Sequence, residues 1–187
     1  MIVTIPIDHV LREAVATPYS DLVTRRTGAA VRRRIEARLA AAASRAPVPA
    51  PPLRACLDFS AVGCIDFSCA DEIVAKLLLS PPGGEHYLAL TGVSEAHREA
   101  IQHVLEYHGI AIAILPAGGG APELLGAVAE DARLAWRRLH EVEPRTPRHL
   151  AHALAWPEER TRAAIGELVH RRLARLAGGE VHPVTAA

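Results

Sequence analysis

The sequence predicts an α/β domain followed by a smaller C-terminal unit of helices closed by a β-hairpin. Three observations lead there. Short apolar or β-branched runs alternate with stretches of helical periodicity up to about residue 115. A Gly/Pro stretch, PAGGGAP at 116–122, then interrupts all regular structure. Beyond it come helical patterns only, until Gly178-Gly179 stands between two short β segments as a two-residue hairpin turn.

The elements follow in order. IVTIPI at 2–7 is β-branched and apolar enough for a strand. Ser20-Asp21 then introduces TRRTGAAVRRRIEARLAAA, where Ala30, Val31, Ile35 and Leu39 recur at helical spacing and leave Arg32, Arg33, Arg34 and Arg38 mostly on other faces. Glu36 interrupts this basic run, so a solvated face is the expectation and a phosphate or acidic-partner patch the alternative. The prolines of APVPAPP, 46–52, make a connector, because they lack the amide hydrogen a helix needs. A strand at 53–59, a helix from Ser68 to Leu79, a strand at 86–90, a helix from Ser94 to Tyr107 and a strand at 110–115 complete a βαβ series. After the break, helices are expected from about 129, from Pro147 with Thr146 as its cap, and from about Pro157 to Leu173.

Composition narrows the function classes. The 187 residues carry 21 Lys plus Arg against 21 Asp plus Glu, so no overall positive charge draws the chain to nucleic acid and any such contact must be local. Cys56, Cys64 and Cys69 are odd in number and form no CxxC pair, which suits free thiols in a reducing cytosol. Asp8 and His9 come too early for a signal core, and no apolar run approaches the roughly 20 residues a bilayer span needs. The expectation is a cytoplasmic protein without a membrane partner.

In the C-terminal unit, Leu150 and Leu154 share one helical face, and Thr161, Ile165 and Leu168 share another, with small Ala151 where the two helices approach. With the Gly178-Gly179 hairpin as a wing, residues 129–187 resemble a winged helix-turn-helix. They depart from that pattern at Ala155, where glycine commonly turns the chain, and at Pro157, where a serine or threonine cap is common. The resemblance implies duplex DNA as partner, with Arg160 and Arg162 near base edges and Arg171, Arg172 and Arg175 on phosphates. Two acids, Glu158 and Glu159, share the reading face, and from residue 130 onward ten arginines face eight acids, a modest excess for a DNA reader.

In the N-terminal unit, LDFSAVGCIDFSCADEIVAKLL at 57–78 resembles the STAS domain of anti-sigma-factor antagonists, and Thr24-Arg25 with Ala70-Asp71-Glu72 is closer to an uncharacterised STAS-like branch. The resemblance implies a mixed sheet with helices. It also implies Ser68 as the position a kinase-like ATPase phosphorylates, although Phe67 and Cys69 depart from that motif. Without phosphorylation, Ser68 reads as a helix cap paired with Asp71 three residues on.

Other constellations carry less. His149 and His152 share a helix side without a third ligand, so no metal is expected. Gly118-Gly119-Gly120 lacks the GxxxxGK[ST] ending and reads as a hinge. No catalytic motif is present, so no enzyme activity and no cofactor are expected. The sequence therefore predicts a STAS-like α/β domain at 1–115, a Gly/Pro-containing linker at 116–128 and a winged-helix α+β domain at 129–187. The expected function is that of a bacterial DNA-binding transcriptional regulator with a sensing or partner-binding domain, with a homodimer as one arrangement. The alternative is a protein-interaction adaptor of the antagonist type, whose partner is a kinase-like ATPase or a sigma-regulatory protein.

Overall fold

The computed structural model describes residues 2–45, 52–80, 86–116 and 118–185, and they form a mixed α/β protein on one five-stranded sheet. Strands β1 (Ile2–Pro6), β2 (Leu53–Asp58), β3 (His86–Thr91) and β4 (Ala111–Leu115) pair in parallel in that order. Strand β5 (Glu123–Gly126) adds to β4 antiparallel. Helices α1 (Ile7–Val15) and α2 (Arg25–Ser44) connect β1 to β2. Helix α3 (Phe67–Ala70), a π-helical turn (Asp71–Ala75) and α4 (Lys76–Leu79) run on from one another toward β3, and α5 (Glu95–His108) leads to β4.

Parallel strands laid down one after another in a single direction, with crossovers of one hand, place their connecting helices on one face of the sheet. The side-chain alternation agrees. Leu57, Leu88, Leu90, Ile112 and Ile114 share a buried core with Val10 and Leu11 of α1, Val31, Ile35 and Leu39 of α2, and Ile101 and Leu105 of α5. That arrangement leaves the second face of the sheet without cover from its own crossovers.

The C-terminal residues supply the cover. Helices α6 (Glu130–Leu139), α7 (Pro147–Leu154) and α8 (Glu158–His170) precede a hairpin of β6 (Ala174–Ala177) and β7 (Glu180–Pro183). Their buried side chains, among them Trp136, Leu139, Leu150, Ile165 and Leu168, form a second core with Tyr87, Ala89, Ala111 and Ala113 of the sheet. Three of those four sheet residues are alanine, which leaves depth for the indole of Trp136, a side chain 1% exposed. Arg133 of α6 also donates to the carbonyls of Leu124 at 2.7 Å and Gly126 at 2.5 Å, alternate residues of the edge strand β5 whose carbonyls point the same way. The guanidinium thus occupies backbone acceptors that an edge strand would otherwise offer to another chain.

Several expectations change. The stretch 116–128, expected as a linker, contains β5, because the four residues of ELLG complete the sheet edge although they are too few to show a period. The C-terminal helices share a core with the sheet instead of standing clear of it. Helix α1 starts directly from Pro6 with no intervening loop, so the sequence reading ran Ile7 into the strand. All but Pro52 of the proline connector at 46–52 lies outside the described residues. The Gly178-Gly179 turn stands as expected, with φ of 62° and 80°, both in the left-handed region where glycine is favoured. Ala155 takes the left-handed conformation, φ 53°, at the position where glycine is commoner.

Truncating the side chain that joins the sheet to its cover tests this packing. Trp136→Ala is expected to destabilise the whole chain by about 3–5 kcal/mol in denaturant unfolding, in one transition, since the two cores share the sheet.

Candidate functional site

The residues singled out around Thr24, Ser68 and Asp71 converge at one end of the helical layer. The chain from Ser20 to Thr24 lies beside 63–66: Gly63 N–H donates to Ser20 O (3.1 Å), Leu22 N–H to Cys64 O (2.8 Å) and Asp66 N–H to Leu22 O (3.0 Å). Asp66 is the cap of α3. Its Oδ1 accepts from the Cys69 amide (2.7 Å) and the Ser68 hydroxyl (2.9 Å), and its Oδ2 accepts from the Thr24 amide (2.9 Å). Partial burial works against the charged form, but the donations from Thr24, Cys69 and Ser68 prevail and hold the Asp66 carboxyl below its ordinary range.

Ser68 is therefore not the cap expected from sequence. An aspartate one residue before the helix reaches the first-turn amide, and the serine inside that turn gives its own hydrogen to the same carboxylate. Half-buried Ser68 is flanked by exposed Phe67, whose ring lies 4.8 Å from that of His103. Tyr107, one turn along α5 from His103, is 80% exposed. Phe67 and His103 thus make an aromatic pair next to Ser68, and Tyr107, its ring 5.0 Å from that of His108, extends it as a strip one turn along α5.

Thr24 has φ 76°, an unusual conformation for a β-branched residue, and its polar groups are held from several sides. Its amide goes to Asp66, its hydroxyl caps α2 at the Thr27 amide, and its carbonyl accepts from the Gly28 amide (3.1 Å) and the Cys69 thiol (3.0 Å). Burial first, and then the neighbouring charge of Asp66, push that thiol up to about 12, so it stays protonated and donates. Gly28 permits the close approach: a Cβ there would lie 2.9 Å from Cys69 Cα.

Next to this junction the π-helical turn presents Asp71 and Glu72 to α2. Arg25 Nη1 lies 2.5 Å from Asp71 Oδ2 and 3.2 Å from Glu72 Oε1, and His108 Nε2 lies 2.8 Å from Asp71 Oδ1. Glu72, buried, also meets Arg32 at 3.3 Å and pairs with Lys76. Burial opposes ionisation of both acids, yet bonding to Arg25 and His108 at Asp71, and to Lys76 and Arg25 at Glu72, keeps their carboxyls below the ordinary range. Thr24-Arg25 and Asp71-Glu72 were legible as notable pairs, whereas the capping role of Asp66 was missed although an aspartate before a helix start is a standard cap signal.

Three of the five C-terminal candidates are engaged by other groups of the chain. Arg160 holds Asp131 through two bonds, Nε to Oδ2 at 2.8 Å and Nη2 to Oδ1 at 2.6 Å, and its guanidinium lies 4.1 Å from the Trp156 ring centroid. Arg162 pairs with Glu158 at 2.7 Å. Arg171 donates to Glu167 (2.9 Å) and to the carbonyl of Gly109 (2.6 Å), tying α8 to the end of α5. Arg172 and Arg175 are half-buried and have no ion pair among the described residues. No helix of the described residues is long and apolar enough to cross a membrane. Comparison with protein-family models, curated proteins and solved structures returns no match for this chain.

The lowered carboxyls fix a pH response. Groups with depressed folded values contribute stability above their unfolded values, 4.5 for Glu72 and 3.8 for Asp66 and Asp71, and lose it as pH falls through the lower folded values. Melting temperature is expected to fall steadily from pH 5 to pH 3. Glu72→Gln is expected to cost about 2 kcal/mol at pH 7, less than a fully buried pair because its cations are partly exposed, and to flatten that acid slope.

Proposed function

We propose that the chain is a regulatory interaction protein of the anti-sigma-factor-antagonist kind, whose STAS-like unit binds a kinase-like ATPase or a sigma-regulatory protein. The observation that carries this reading is the aromatic strip of Phe67, His103 and Tyr107 beside half-buried Ser68. Exposed aromatic side chains are what protein interfaces use as anchors, and the chain has few to leave in solvent, with aromatics at 4% of its residues.

Ser68 gives this surface a switch. A phosphate there removes the donation from Ser68 to Asp66 and sets a charge of about −2 beside that carboxylate. Repulsion then acts on the residue that caps α3 and holds the amide of Thr24. The modification loosens the start of α2 and alters the strip at the same time.

A DNA-binding role for the C-terminal unit is the second reading. It is supported by the order of three helices and a hairpin and by Arg172 before that hairpin and Arg175 within it, which have no ion pair among the described residues. It ranks second because Arg160 and Arg162, the residues expected near base edges, are held by Asp131 and Glu158. That reverses the order the sequence suggested.

The test is capture of partners on the immobilised chain. A protein held by the native chain is expected to be lost with Phe67→Ala/Tyr107→Ala and weakened at least tenfold with Ser68→Glu, while Arg172→Ala/Arg175→Ala retains it. Equal capture by all four proteins contradicts the reading.

A further inference from the structure

Helix α2 carries three different faces. Gly28, Val31, Ile35 and Leu39 are buried. Arg25, Arg32 and Glu36 share a flank turned to the π-helical turn, where Arg25 and Arg32 meet Glu72 and Arg32 meets Glu36 at 2.5 Å. The remaining arc, at 3.6 residues per turn, holds Arg26, Ala30, Arg33, Arg34, Ala37 and Ala41, with Arg45 at the C-cap. Glu36, which breaks the basic run in sequence, is thus not on the basic face.

Arg26, Arg33, Arg34 and Arg45 are exposed and have no ion pair among the described residues. The nearby acids are already engaged: Glu13 by Arg38 at 2.7 Å, Glu36 by Arg32, and Asp71 and Glu72 by Arg25. In a chain of equal opposite charges, this stripe is a local surplus of cations without an acid on it.

We propose that this stripe of α2 is a contact surface for the phosphate backbone of duplex nucleic acid. Between its arginines the stripe offers only small side chains, so it lacks the large apolar anchors that a protein interface or a membrane-surface helix buries. The four cations are spread over about 28 Å of the helix at 1.5 Å per residue, a length that about eight phosphates of one strand cover at about 3.4 Å along the duplex axis. The alanines let the helix approach a phosphate row closely while the longer arginines reach to either side. Contacts of this kind position a protein without reading sequence. The proposal is independent of the partner-binding strip and of the C-terminal unit.

The experiment is fluorescence anisotropy of a random-sequence 24-base-pair duplex between 50 and 200 mM KCl, with phosphatidylserine vesicles as a parallel probe. The native chain is expected to bind with a log-log salt slope of roughly −3, weakening about 60-fold across that range. Arg26→Gln/Arg33→Gln/Arg34→Gln is expected to bring the slope to about −1, the share of the remaining Arg45, with an unchanged melting temperature showing that it folds. The same substitutions to Glu should abolish binding, and Arg172→Ala/Arg175→Ala should leave it intact. Absence of duplex binding, binding that survives the α2 substitutions, loss only with Arg172→Ala/Arg175→Ala, or binding to vesicles alone each overturns the proposal.

Discussion

A single carboxylate ties together three segments distant in sequence. Asp66 caps α3 through the Cys69 amide, receives the Ser68 hydroxyl and holds the Thr24 amide just before α2 begins. The conformation of Thr24 is costly for a β-branched residue and persists only where its neighbours over-determine it. Here the Asp66 carboxylate, the Thr27 amide, the Gly28 amide and the Cys69 thiol all act on it. With α2 anchored at that point, Arg25 and Arg32 reach Asp71 and Glu72, and the buried carboxylate of Glu72 has cations around it. Without the anchor, the same burial would favour a neutral acid.

The second constraint comes from topology. A sheet whose parallel strands run in simple sequence collects its crossover helices on one side, and its other side is apolar on β3 and β4. Helices α6 to α8 meet that need, and the arginines Arg133 and Arg171 bond backbone carbonyls of β5 and of the α5 end. An ion pair or hydrogen bond of this kind constrains orientation more than it adds net stability. It also explains why Arg171, attractive as a phosphate ligand in sequence, serves the junction between the sheet and its cover.

The sequence carried the parts of the fold that have a local period. Helix α2 was legible from Val31, Ile35 and Leu39, strands β2 to β4 from their apolar runs, and the hairpin from Gly178-Gly179. Strand β5 escaped because four residues carry no period, and its membership in the sheet depends on pairing with β4. Helix α1 escaped because no loop or cap residue separates it from β1. At the candidate site, Ser68 was located but given the role of Asp66, since serine and aspartate are both good caps and only geometry shows which one reaches the amide. The pairing of Arg160 with Asp131, 29 positions apart, has no sequence signal at all.

Asp66 is the junction on which both the start of α2 and the turn that carries Ser68 depend. Hydrogen exchange of the native chain against Asp66→Ala tests this most directly. The account predicts faster exchange confined to the amides of Thr24 to Gly28 and Cys69 to Glu72, by at least tenfold, with the sheet unchanged, as a local opening requires. Unchanged protection in both segments, or a uniform loss across the sheet, would contradict it.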